Sequence, residues 1–83
     1  MVTHLDGNVL AGPLSERYGV DRTGEVGRCA ECGQSGTLAQ SHVYTGAGFV
    51  ARCSDCGAVL LTVVEGPGET IVRMHALTGI DLS

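Results

Sequence analysis

The residues best equipped for chemistry in this chain are four cysteines, set out as Cys29-x-x-Cys32 and Cys53-x-x-Cys56 with 20 residues between the pairs. Thiolates are soft, strongly donating ligands, and two C-x-x-C loops at this separation form a recognised zinc pattern. Each loop turns both of its sulfurs toward one point, so two loops complete a tetrahedron around a single ion. The pairs also lie inside a repeat. Arg28-Cys29-Ala30-Glu31-Cys32-Gly33 and Arg52-Cys53-Ser54-Asp55-Cys56-Gly57 share one order: arginine, cysteine, small residue, acid, cysteine, glycine. The repeat predicts two equivalent loops facing one metal. Gly33 and Gly57 fit that geometry, because the chain must turn sharply after each pair, with N–H groups aimed at the sulfurs and φ positive.

Four thiolates close the coordination shell of zinc, which leaves no position for water or substrate and therefore implies a structural ion. No Ser-His-Asp array, phosphate loop or paired catalytic carboxylates accompany it, so no catalytic residue is assigned. Two rival uses of the cysteines stay open. They could form two disulfides, in any of three pairings, or one C-x-x-C could act in thiol redox, although the chain lacks the βαβ context for that role. His4, His42 and His75 have no metal-like spacing and read as ordinary histidines. Arg28 and Arg52 either offset the negative thiolates or present a docking surface.

The rest of the composition explains why such a staple is needed. The 83 residues leave room for one domain, 1–83, with no Trp, one Phe and two Tyr to fill its core. Its 13 glycines are about twice the usual share, and each adds a backbone-entropy cost on folding. A core this small supplies only a few kcal/mol, whereas a structural zinc contributes on the order of 10 kcal/mol.

Charge narrows the partners. Five arginines and no lysine stand against nine acids, a formal −4, and four thiolates with one Zn²⁺ carry it to −6. Nucleic-acid affinity comes largely from cations on phosphates, so strong nucleic-acid binding is not expected, and neither is an anionic membrane surface. Met1 to Gly7 shows no signal-peptide pattern. The expected location is the cytoplasm, where disulfides are rare, which favours metal.

Around the cysteines the pattern predicts a short N-terminal helix over Asp6 to Tyr18, capped by Asp6 and with Pro13 as its weak point. Gly19 to Gly27 is a connector ending in an extended piece. Thr37 to Thr45 reads as a strand, Gly46-Ala47-Gly48 as a turn and Phe49 to Arg52 as the returning strand. Ala58 to Glu65 is the strongest strand, followed by a Gly66-Pro67-Gly68 turn. Thr70 to Leu77 alternates, with Val72, Met74 and Ala76 on one face and Arg73 and His75 on the other. Thr78 to Ser83 is expected to be a loose end. The apolar face of the helix is expected to cover the sheet. This gives a small, metal-stapled β-rich domain with antiparallel hairpins, its core over 24–78.

At the two Cys-x-x-Cys-Gly knuckles the chain resembles the zinc-ribbon superfamily. As a whole it looks like a family of short bacterial zinc-ribbon proteins with no established activity. The carrying features are Leu5-Asp6-Gly7-Asn8, Leu14-Ser15-Glu16, the Arg-Cys-Ala-Glu-Cys-Gly knuckle and the Gly66-Pro67-Gly68 turn. The resemblance implies one zinc on Cys29, Cys32, Cys53 and Cys56, and it hints at an accessory subunit of a larger oxidoreductase complex. The knuckles also resemble those of rubredoxins, where the same sulfurs hold iron and carry electrons. Here only Tyr18, Tyr44 and Phe49 are at hand to shield such a centre. The expectation is a non-catalytic zinc module that binds an unidentified protein partner. A rubredoxin-like electron carrier and a nucleic-acid-associated zinc ribbon are the alternatives.

Overall fold

The chain, described by a computed structural model over residues 5–19, 23–46 and 48–80, builds two antiparallel sheets and one α-helix. The elements are β1 (Leu5–Asp6), α1 (Ala11–Tyr18), β2 (Val26–Cys29), β3 (Ser35–Thr37), β4 (His42–Thr45), β5 (Phe49–Arg52), β6 (Val59–Gly66), β7 (Glu69–Met74) and β8 (Leu77–Thr78). One sheet has the order β1-β4-β5-β6-β7 and the other β3-β2-β8. His4, residues 20–22 of the expected connector, Ala47 of the expected turn and the 81–83 end of the expected tail lie outside the described residues.

The apolar run after the second cysteine pair forms β6, the longest strand, as its β-branched content dictates. Cross-strand neighbours Val43, Ala51 and Leu61 make one row through β4, β5 and β6 and are all fully buried. Leu10 and Leu14 from the helical segment join the same core. The helix covers this sheet face. A register shift between Ala51 and Arg52 lets β6 bury Leu60 as well. Leu60 and Leu77 line a cavity of about 110 Å³ whose walls come from both sheets and include Cys29 and Cys53.

Four expectations need correction. Asp6 does cap the N-terminal segment, its Oδ1 accepting from the Asn8 N–H at 3.2 Å, but the first turn, Gly7–Leu10, is a 3₁₀-helix. The α-helix starts at Ala11, which places Pro13 in its first turn, where a missing N–H costs least. Thr37 to Thr45 is not one strand. A 3₁₀ turn over Leu38–Gln40 divides it, with the Gln40 Oε1 accepting from the Thr37 N–H at 2.9 Å and the Ser41 hydroxyl donating to the Leu38 carbonyl at 2.7 Å. These local side-chain bonds compete with the strand ladder and turn Leu38 into the core.

The last strand also breaks. β7 stops at Met74, His75 and Ala76 donate back to the carbonyls of Leu60 and Val59, and β8 crosses to the other sheet to pair with β2. The expected loose end therefore contributes Thr78 to a strand and Ile80 to the core. Val72 and Ala76 are half-buried as their alternation requires, while Met74, at the strand end, stays 37% exposed.

A four-cysteine candidate metal centre

Each knuckle sits between two paired strands. β2 and β3 flank the first, with Arg28 opposite Ser35, and β5 and β6 flank the second, with Arg52 opposite Val59. The local hydrogen bonds match step for step. The Cys29 N–H donates to the Gln34 carbonyl at 2.9 Å, and the Cys53 N–H to the Ala58 carbonyl at 2.8 Å. The Gly33 N–H returns to the Cys29 carbonyl at 2.7 Å, and the Gly57 N–H to the Cys53 carbonyl at 2.9 Å. Both glycines take the left-handed conformation foreseen from the repeat, with φ of 79° and 78°.

The strands bring the two loops face to face. All four Sγ atoms lie within 4.8 Å of one another, with Cys29 to Cys56 and Cys32 to Cys53 each at 3.6 Å. A tetrahedron of thiolates around zinc, with Zn–S of about 2.3 Å, has edges of about 3.8 Å. The donor set fits one metal ion. A disulfide requires sulfurs about 2.0 Å apart, and all four cysteines are free. Cys29 and Cys53 are buried, while Cys32 and Cys56 face solvent.

The electrostatics set Cys32, Cys53 and Cys56 apart from one another. Asymmetry among them is large. The Gln34 N–H beside Cys32 favours its thiolate, but loss of water and the neighbouring Cys53, Cys56 and Cys29 thiols outweigh it and push the group up to about 12. Burial raises Cys53, yet the N–H groups of Cys56 and Asp55 and the adjoining thiols lower it to about 7. For Cys56 the Ala58 N–H works downward, and desolvation together with Cys29 carries the net shift upward. One thiolate is favoured at the expense of its neighbours, as expected where like charges crowd without a cation.

The arginines of the repeat have a use the sequence reading did not identify. Arg28 Nε donates to the Gly33 carbonyl at 3.2 Å, and Arg52 Nη1 to the Gly57 carbonyl at 2.9 Å. Each guanidinium thus spans its own knuckle and ties the strand that enters it to the glycine that closes it. The identical spacing in the repeat was the available signal. A second support had no local signal. The Ala30 N–H donates to the Ala76 carbonyl at 2.7 Å and the Thr78 hydroxyl to the Arg28 carbonyl at 3.1 Å, so β8 and the residue before it strap the first knuckle.

His42 and His75 do not join the cluster; His75 instead lies 3.4 Å from the Thr62 hydroxyl. Tyr44 stacks under Arg52, with 5.9 Å from guanidinium to ring centroid, and Phe49 packs on the main core. Neither ring lines the cavity beside Cys29 and Cys53. No described helix is long and apolar enough to cross a membrane.

Comparison with curated proteins and with solved structures yields no match. A family model spans the whole chain, residues 1–83, and with the fold and its four-cysteine cluster in view the chain belongs to that family, a family of unknown function (DUF6510).

Proposed function

We propose that this protein is a structural zinc domain of the zinc-ribbon type. Cys29, Cys32, Cys53 and Cys56 hold one Zn²⁺ as thiolates, and the folded module works through protein contacts without catalysis of its own. The observation that carries the reading is the convergence of four free Sγ atoms within 4.8 Å from two matching knuckles. Four thiolates leave zinc no open position for water or substrate. The absence of lysine and the formal charge of −4 weigh against a nucleic-acid footprint. Thiols kept free for metal suit a reducing compartment such as the cytoplasm.

Zinc is preferred to iron because, among the described residues, no aromatic side chain lines the cavity beside the two buried cysteines to shield a redox centre from water. Native mass spectrometry and metal analysis of protein made in iron-replete cells test the reading directly. The expected result is a colourless protein with one zinc per chain. A red protein with one iron per chain, bleaching reversibly with dithionite, would make it an electron carrier. Metal-free protein with two disulfides would remove the metal reading altogether.

A further inference from the structure

Among the described residues, five large apolar side chains are exposed: Leu5 on β1, Val26 on β2, and three along the β6–β7 edge of the larger sheet, Val64 at 42%, Ile71 at 41% and Met74 at 37%. Val64 and Ile71 are cross-strand partners on β6 and β7, and β7 is the outer strand of the sheet. β7 is unusual for an edge. It runs six residues with no proline, no lysine and no register shift against β6, three of the devices by which edges avoid pairing, and its charged residues are Glu69 and Arg73.

The phase of its ladder can be read from its ends. Gly66 pairs with Glu69 across a two-residue turn, and the His75 N–H bonds to the Leu60 carbonyl beyond the Leu61–Met74 pair. Both place the backbone groups of Glu69, Ile71 and Arg73 toward β6. Those of Thr70 and Val72 consequently point out of the sheet. The side chains of Glu69, Ile71 and Arg73 share the sheet face opposite Val72.

This strand is complementary to itself. In an antiparallel pairing of two β7 strands centred on Ile71, Ile71 meets Ile71 of the second copy, Glu69 meets Arg73, and Arg73 meets Glu69. Thr70 and Val72 exchange backbone N–H···O=C bonds across the dyad at both symmetry-related positions. The side-chain pairs fall at the closely spaced positions of the ladder, where cross-strand contact is tightest. Edge charges usually repel a second copy; in this register they attract it. We infer that β7 is a homodimer interface, joining two five-stranded sheets into one continuous ten-stranded sheet about a two-fold axis at Ile71. The inference rests on strand geometry and charge and needs nothing of the metal.

Sedimentation equilibrium with charge-reversal variants tests it. Wild-type protein is expected to dimerise reversibly. Glu69→Arg and Arg73→Glu each set like charges against each other at two symmetric positions, and each variant alone should raise the dimer dissociation constant at least about tenfold. Mixed in equal amounts the two variants restore both charge pairs and should form a heterodimer of wild-type strength. Thr70→Pro removes an outward-facing N–H that an edge strand does not use internally, so it should fold, by circular dichroism, and remain monomeric. A wild-type monomer at several hundred micromolar overturns the proposal, as do single variants that dimerise like wild type or a mixture that fails to associate. Misfolding cannot mimic the rescue, since two misfolded variants do not repair each other on mixing.

Discussion

A thiol in water keeps its proton at neutral pH, and four brought within 4.8 Å cannot all ionise unless a cation lies between them. Two predictions belong to this residue scale. Metal binding must displace protons, and thiolates held by the ion titrate far below their metal-free values. Their stabilisation is therefore present at higher pH and lost as pH falls. Below about pH 7 the metal-free Cys32, Cys53 and Cys56 all hold protons, so affinity should fall most steeply there. Titrating loaded protein with acid beside a chromogenic zinc indicator should show release sharpening below neutrality; retention independent of pH would contradict thiolate ligation. The arginines supply the second. Arg52→Ala leaves the ligands intact but frees the Gly57 carbonyl, and because this bond is exposed the cost should be only about 0.5–1 kcal/mol. A melting temperature lower by a few degrees with full metal content is the expected outcome, and Arg28→Ala should behave alike. Loss of the metal from either variant would mean that the guanidinium does more than brace the loop.

At the scale of elements, the two 3₁₀ turns interlock. A Cβ built on Gly7 would run into the carbonyl oxygen of Leu38, so the turn over Gly7–Leu10 can approach the turn over Leu38–Gln40 only with glycine at that position. Leu38, 1% exposed, fills the core from beneath this contact. Gly7→Ala should cost about 1–3 kcal/mol by overpacking, and Leu38→Ala about 2–5 kcal/mol through the cavity it leaves. Thermal melts in excess zinc, with metal content measured alongside, check both. The expected pattern is lowered melting temperature with unchanged stoichiometry, because neither residue belongs to the four-cysteine cluster. An unaltered Gly7→Ala melt would show that the two turns are free to separate.

For the molecule as a whole, the core among the described residues is leucine, valine, one isoleucine, one alanine and the two buried cysteines, with Phe49 only partly buried. Such a core offers little beyond the entropy cost of ordering a glycine-rich chain. The knuckles terminate strands of both sheets, so an ion held between them ties the sheets together. Stripping the metal with a strong chelator under reducing conditions should abolish the far-ultraviolet dichroism of the folded chain, and zinc should restore it. Cys53→Ser should reproduce the chelated state, since Cys53 is a buried member of the four-cysteine cluster. A chelated protein that keeps its native spectrum and cooperative melt would show that the apolar core suffices.

The amino-acid order by itself determined the features that depend on near neighbours. The repeat carried both knuckles and their positive-φ glycines, the β-branched run carried β6, and Gly66-Pro67-Gly68 carried the turn into β7, because each is set within a few residues by sterics and local hydrogen bonds. The position of the helical segment was legible too, since Asp6 caps it locally. Thr37 to Thr45 misled because its β-forming residues contain a Thr37–Gln40 bond that wins over strand pairing once Leu38 has a core to enter. What only the tertiary structure decided is which distant groups meet. Leu77 and Thr78 leave β7 for β2, far away in sequence, where the Arg28 carbonyl and the space beside Cys29 await them. No local pattern encodes that pairing; it follows from how the two sheets must sit for four sulfurs to converge.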